Sequence, residues 1–257
     1  MAFLGQQNVG GAQKPFVGGY VNVGGVQKKI IGGYQNVGGV LVPLVAGGGE
    51  VEIGTLAVGS SVWANVNGVS TEFLIVHQGL PGSSYDSSCD GTWLLSKDIY
   101  TQMQFNSTSN NVYSASQIHQ YLNNTYINLF DASVKNIFKQ VKIPYYNNNT
   151  ITTGASGLSA KSFLLSAMEV GTRTSGAEGS ILEYFNGASD SKRIANYNGT
   201  AAVWYLRSHI TSSSANVRTV TASGGGSNST AGASRGVRPA FILPSTTLVD
   251  GDGNIIV

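Results

Sequence analysis

The sequence predicts an α+β domain of short, mainly antiparallel strands with two short helices, preceded by a glycine-rich β repeat. Three observations predict it. An apolar stripe at helical spacing occurs in one place only, short apolar runs flank it on both sides, and a 14-residue period is confined to the first fifty residues. At 257 residues the chain has room for one ordinary domain with an appendage.

The repeat comes first. Gln7–Lys14, Val21–Lys28 and Gln35–Val40 align at a period of 14, with Gly-Gly-Tyr blocks at 18–20 and 32–34 between them. Each unit reads as two short extended arms joined by a glycine pair, because glycine tolerates the positive φ of a tight hairpin turn. The apolar residues recur in phase (Val9, Val23, Val37; Phe16, Ile30), which a plain flexible linker would not require. Arms of six or seven residues bury no core alone, so the expectation is hairpins packed on copies of themselves, a homotrimer being one arrangement that supplies the missing core. Residues 1–50 therefore read as an attachment and oligomerisation segment, ending in the glycine-rich run 45–49, and 51–257 as the main domain.

In that domain Val51–Ile53 and Ser61–Val66 read as strands. Asn67-Gly68 is a hairpin turn signal, and Val69–His77 is the returning strand. Thr92–Ser96 is a further extended run. Ile118, Tyr121, Leu122, Tyr126, Leu129 and Phe130 then form a helical stripe with Ser114 or Ser116 as N-cap. Asp131 is placed to cap a second helix carrying Val134, Ile137, Phe138 and Val141. Short strands are expected at 163–166, 181–185, 203–208, 217–222 and 237–243. A last hairpin is expected between 247–249 and 255–257.

Composition excludes several functions. With 15 Lys+Arg, 13 Asp+Glu and only 11% charged residues, the chain lacks the clustered basic surface of a nucleic-acid binder. One cysteine, Cys89, forms no internal disulfide and no thiolate zinc set. Apolar stretches are too short to cross a bilayer as helices. Met1–Gln7 lacks a basic and an apolar signal region, so release by lysis or assembly into a particle is the expected route outward. His77, His119 and His209 show no metal-ligand spacing, and Asp250–Asn254 lacks the later positions of a calcium loop. No metal, cofactor or catalytic residue is expected. Asp86, Asp90, Glu169, Glu178, Glu183 and Asp190 could supply an acid pair, but the sequence marks out none of them.

Leu94-Leu95-Ser96, the helix from Tyr113-Ser114 to Phe130, and Phe163–Ser166 with Glu169-Val170 are followed by Trp204–Ser208 and then Gly236–Phe241. In this order they resemble a domain family of gut Firmicutes and their bacteriophages. That family is in turn similar to the C-type lectin-like fold of formylglycine-generating enzymes and of the variable proteins of diversity-generating retroelements. The resemblance covers about residues 55–245, and the amino-terminal repeats are similar to those of phage tail proteins. It implies a C-type lectin-like ligand-binding domain at 51–257, on a virion tail protein that becomes extracellular after host lysis. The paired cysteines of formylglycine-generating enzymes are absent, so that activity is not implied. A fold does not name a ligand.

The residues themselves place ligand binding in 196–234, where Tyr, Ser, Asn and Gly crowd loops between strands. Tyr offers contact area at low entropy cost and the others offer hydrogen bonds. The expected ligand-binding residues are Tyr197, Asn198, Tyr205, His209, Thr211, Ser213, Ser214, Asn216, Ser227 and Asn228. Alternation along the strand turns Tyr205 away from Trp204 and Leu206, toward solvent or partner. Trp93 and Trp204 read as core anchors. Arg207 and Arg238 read as half-buried structural residues, hydrogen-bonding loop carbonyls or pairing with a carboxylate such as Glu169 or Glu183. In retroelement variable proteins the corresponding segment is the diversified one. The function expected is a phage tail receptor-binding protein or adhesin, with a bacterial surface receptor, protein or glycan, at 196–230 and other tail proteins at 1–50. A structural tail or virion decoration protein is the alternative, and a glycan-active enzyme is the weaker third reading.

Overall fold

A computed structural model describes residues 49–147, 149–173 and 178–257, and before them the backbone of six short strands. Those six pair as three antiparallel hairpins, Asn8–Val9 with Ala12–Gln13, Tyr20–Val23 with Val26–Lys29, and Gly33–Val37 with Val40–Leu44. In each, two residues separate the innermost partners: Val9↔Ala12, Val23↔Val26 and Val37↔Val40. The repeat thus encodes one hairpin per 14 residues. The expected packing of Phe16 and Ile30 and the boundary run 45–48 lie outside the described residues.

The main elements are β1 (Ser61–Val66), β2 (Val69–Gln78), β3 (Thr92–Ser96), β4 (Thr101–Gln104), α1 (Gln117–Asn124), α2 (Ala132–Ile137), β5 (Ser162–Phe163), β6 (Trp204–Ile210), β7 (Ser213–Val220), β8 (Gly226–Thr230), β9 (Ser234–Val237) and β10 (Ala240–Leu243). They build two five-stranded sheets, ordered β5-β10-β3-β2-β1 and β4-β9-β6-β7-β8. The first is antiparallel throughout. The second has one parallel contact, Trp204↔Gly236 between β6 and β9.

The β1–β2 hairpin turns at Asn67 and Gly68, with φ of 53° and 75°. Both central residues are left-handed, the conformation that an Asn-Gly pair tolerates and that matches strand twist. Among the described residues no helix is long and apolar enough to cross a membrane.

One core runs across both sheets, and its aromatic cluster sits on the first. Phe241 on β10 meets Phe73 from β2 at 5.0 Å between ring centroids, Phe130 at 5.5 Å and Phe138 at 4.3 Å. Trp93 on β3 takes Tyr85 and Phe163 edge-on, each at 5.5 Å. Each such fully buried aromatic contributes roughly 2–3 kcal/mol of burial. Trp93 and Trp204 are both core residues.

The expected α+β, C-type lectin-like fold with two helices is not what forms. Strand accounts for 39% of the chain, and among the described residues every helical element other than α1 is six residues or shorter. Ser116 caps α1 by accepting from the His119 amide at 3.0 Å, but α1 ends at Asn124. The run Asn123-Asn124-Thr125 is poor in helix formers, and Tyr126–Leu129 continues as a separate 3₁₀ turn. Its apolar stripe is real: Ile118, Leu122, Tyr126 and Phe130 are buried. Periodicity therefore reported a buried face without reporting a continuous helix. The second helix shrinks to the six residues of α2, and the Asp131 side chain does not cap it. The strand expected at 181–185 is instead a loop with a 3₁₀ turn at Glu183–Phe185. The terminal hairpin forms as expected, Leu248–Val249 with Ile255–Ile256.

Candidate functional site

Strand β6 decides what the 196–234 region presents. It lies inside its sheet between β7 and β9, and every residue from Trp204 to His209 is buried. A strand covered on both faces cannot use alternation to expose a side chain. Tyr205 is accordingly fully buried and does not face solvent. Its hydroxyl lies 2.7 Å from the carbonyl oxygens of Thr230 and Ala233, and its ring meets Phe105 at 5.4 Å. It ties the chain after β8 to the core.

Behind this strand lies a buried ionic network. Arg207 donates through Nη1 and Nη2 to both carboxylate oxygens of Glu169 at 2.6 Å, and through Nε to the Pro144 carbonyl at 2.9 Å. Glu169 also accepts from the Tyr85 hydroxyl at 2.8 Å and the Ser166 amide at 2.8 Å. Both charges are sealed from solvent, and the bidentate geometry offsets their desolvation. Burial and the Glu169 charge hold the Tyr85 hydroxyl well above its ordinary pKa.

Glu178 is less well provided for. The Ser208 hydroxyl donates to its Oε2, while Oε1 stands 3.7 Å from Arg207 Nε and accepts no hydrogen bond among the described residues. Burial pushes this carboxyl up to about 7, against the opposing pull of Arg207 and Ser208. Arg238 is structural too: it donates to the carbonyls of Ser96 and Lys97 at 2.8 Å and stacks over Trp204 at 5.0 Å.

The surface is built on the next two strands. Asn111, from the loop before α1, donates its amide toward the carbonyls of Ile210, Ser213 and Asn216 at 3.2, 2.7 and 2.8 Å. One side chain thereby clamps the whole β6–β7 turn. On that turn Thr211 and Ser214 are exposed, Ser213 and Asn216 are half-buried, and Asn216 Nδ2 donates to Ser213 Oγ at 3.0 Å. On β8, Ser227 and Asn228 are exposed. Arg218 Nη1 donates across the strands to Asn228 Oδ1 at 3.1 Å, and Arg235 Nε donates to Ser229 Oγ at 3.1 Å. Arg173 is close enough for its charge to lower the pKa of Arg218 and of His209, in each case after burial as the larger cause. Among the described residues none of Arg173, Arg218 and Arg235 has a carboxylate partner.

His209 is buried beneath this surface. Its Nε2 donates to Asn149 Oδ1 at 2.9 Å and its ring meets Tyr146 at 4.3 Å. That tautomer leaves Nδ1 as an acceptor with no partner among the described residues. With its pKa lowered, His209 is neutral at pH 7.

Of the ten expected ligand-binding residues, Thr211, Ser213, Ser214, Asn216, Ser227 and Asn228 lie on the β6–β7 turn and on β7 and β8, with Ser214, Asn216 and Asn228 on the face of Arg218 and Ser213 and Ser227 on the other. Tyr205 and His209 support this region from below. Tyr197 and Asn198 are not part of it. They form the tip of a small hairpin, Asn196–Tyr197 with Thr200–Ala201, which Asn196 anchors to Asp98 and Ile99. Asp98 and Ile99 themselves line a groove of about 390 Å³ with Val69, Glu72, Lys97 and Tyr100 among others, in which Lys97 and Glu72 pair at 2.7 Å. Asn111 and the three arginines were not expected from sequence. Arg218 carried a usable signal, a cation within an otherwise amide- and hydroxyl-rich strand, whereas a loop asparagine such as Asn111 carries none.

A family model described as "Domain of unknown function (DUF6273)" matches residues 90–245, a span that holds β3 to β10 and Glu169, Glu178 and Arg207 of the buried network, though not Tyr85. No curated protein and no solved structure matches the chain.

Proposed function

The chain belongs to the DUF6273 family, and we propose that it is a receptor-binding protein of a phage tail. In this reading the repeat hairpins of 1–50 join it to other tail proteins and to copies of itself. The β7–β8 surface is held out toward a molecule on the bacterial surface, protein or glycan. Binding rather than turnover is its work, and several copies on one tail add avidity to a weak single site. Its place is the virion, and it acts outside the cell.

The observation that carries this reading is the contrast between backbone and side chains at 211–228. The backbone is locked by Asn111 and by pairing with β6, while Ser214, Arg218, Ser227 and Asn228 offer hydroxyl, guanidinium and amide groups to solvent or to its edge. Rigid scaffolding beneath adaptable polar groups is what a recognition surface needs. Thr211, Ser213, Ser214, Asn216, Ser227 and Asn228 are also the positions that retroelement diversification could alter without disturbing the core. Tyr205 and His209 are not.

Adsorption of labelled full-length protein to a panel of gut bacteria tests this. A Ser214→Ala, Arg218→Ala, Asn228→Ala triple variant keeps the buried hydrogen bonds intact. Strain-selective adsorption lost in a folded triple variant is the expected result. Adsorption unchanged by the triple variant removes this surface from the reading, and its absence on every strain favours a structural role in the tail.

A further inference from the structure

The outer edge of the second sheet is the feature that the surface reading leaves unused. Strand β8 is terminal in the order β4-β9-β6-β7-β8. Its register on β7 pairs Arg218 with Asn228 and Val217 with Ser229. The amide of Ala231 donates to the Ala215 carbonyl and that of Thr221 to the Gly225 carbonyl, both at 2.8 Å. In an antiparallel ladder every second pair exchanges hydrogen bonds. The bonded pairs are therefore 215/231, 217/229, 219/227 and 221/225. Gly226 and Asn228 belong to the other set, so their N–H and C=O groups point away from β7. Among the described residues no backbone group pairs with them, or with the outward N–H of Thr230. Gly226, Ser227, Asn228 and Thr230 are all exposed.

Thr172 packs on Gly226 at the start of this edge, and among the described residues β8 otherwise lacks the usual guards. Gly226–Thr230 contains no proline, no charged residue and no bulge. What flanks it instead is positive charge on both faces. Side chains alternate along β8, so Asn228 and Ser229 face opposite sides. Arg218 is bonded to the first and Arg235 to the second. Each guanidinium is thus already hydrogen-bonded to a side chain of β8, one on either face. Asp190, which packs on Gly224, is occupied by Arg193.

We propose that β8 is a docking edge for an extended acidic peptide segment of a partner protein, which joins the sheet as a sixth strand. Main-chain hydrogen bonds to Gly226, Asn228 and Thr230 hold it, and Arg218 and Arg235 select Asp or Glu on its two faces. A second copy of this chain is the poorer occupant. Antiparallel pairing of two β8 strands about Asn228 would bring Arg218 and Arg235 of both copies together, with like charges opposed. The inference deepens the receptor-binding reading and rests on it for the location of the surface.

The test uses the full chain and a labelled, terminally capped octapeptide of glutamate and valine, beside the same peptide with lysine for glutamate. The acidic peptide is expected to bind at least about tenfold more tightly than the basic one, and to slow hydrogen exchange at the amides of Asn228 and Thr230. Asn228→Pro removes one outward N–H at an edge where proline costs no ladder bond. It is expected to weaken binding at least about tenfold while the thermal midpoint stays close to that of the parent. Arg218→Glu with Arg235→Glu, which leaves the backbone edge intact, should reverse the preference between the two peptides.

Equal binding of both peptides, no binding of either, or binding untouched by Asn228→Pro overturns the proposal. So does concentration-dependent dimerisation that Asn228→Pro abolishes, because the edge then serves a second copy. Cells that adsorb parent and Asn228→Pro alike leave the receptor reading standing and remove the edge. Peptide binding without adsorption to any strain does the reverse.

Discussion

Arg207 and Arg218 sit on neighbouring strands of one sheet and do opposite work. Arg207 is sealed inside, with five polar contacts to Glu169, Glu178, Pro144 and Leu164. Arg218 is half-exposed on β7 and holds one amide oxygen, with Nε unpartnered among the described residues. The same guanidinium is a structural pin where water is excluded and, in the function proposed above, a recognition group where it is not. Geometry and desolvation decide which, because a buried charge must be paired and a surface charge need not be.

The sharpest way to break that contrast is Arg207→Ala. Removing one partner of a buried ion pair strands Glu169 and Glu178, and a loss of about 3–5 kcal/mol is expected. Denaturant unfolding measures it, and a change below about 1 kcal/mol would show the network to be ornamental.

Glu178→Gln comes next. The folded-state pKa of Glu178, about 7, lies above the ordinary 4.5, so the folded protein binds this proton more tightly than the unfolded chain does. Its contribution to stability is fully present below pH 4.5 and is lost as pH rises through about 7. On the order of 3 kcal/mol of this pH dependence should vanish in the glutamine variant. Parallel unfolding curves of parent and variant against pH, with no divergence between the two, would defeat this assignment.

Asn111→Ala is expected to cost about 2 kcal/mol, since it leaves three turn carbonyls without their donor, and to lower ligand binding by loosening 210–216. Tyr205→Phe should cost about 1 kcal/mol through the carbonyls of Thr230 and Ala233. Arg218→Ala should move stability by less than about 0.5 kcal/mol. A larger destabilisation there would mean that the two arginines are more alike than their surroundings say.

Parts of this were legible in the sequence because they depend on local chemistry. The Asn67-Gly68 turn requires two left-handed residues, and only a few dipeptides supply them cheaply. The 14-residue period specifies three hairpins. Trp93, Trp204 and the structural role of Arg207 and Arg238 followed from apolar neighbours and the need to compensate a buried charge, while the choice of Glu169 over Glu183 did not. The helix at 117–130 was half legible: its buried face was correct, but its continuity failed at Asn123-Asn124-Thr125. The C-type lectin-like architecture was not there to be read, because short helical and strand signals do not specify how they assemble into sheets.

The site divides the same way. That 211–228 would present hydroxyls and amides was written in its composition. That Tyr205 and His209 lie under that surface, and Tyr197 and Asn198 away from it, depends on which strands flank β6.

By itself, then, the sequence determined the hairpin repeat, the strong turns, the anchoring aromatics and the polar character of the region after 196. Each rests on contacts within a few residues or on the cost of burying one group. Long-range pairing alone covers β6 on both faces, brings Asn111 about a hundred residues along the chain to clamp a turn, and makes β8 the last strand of its sheet among the described residues. Those outcomes come from strand order, and strand order is set by long-range pairing that no local pattern records.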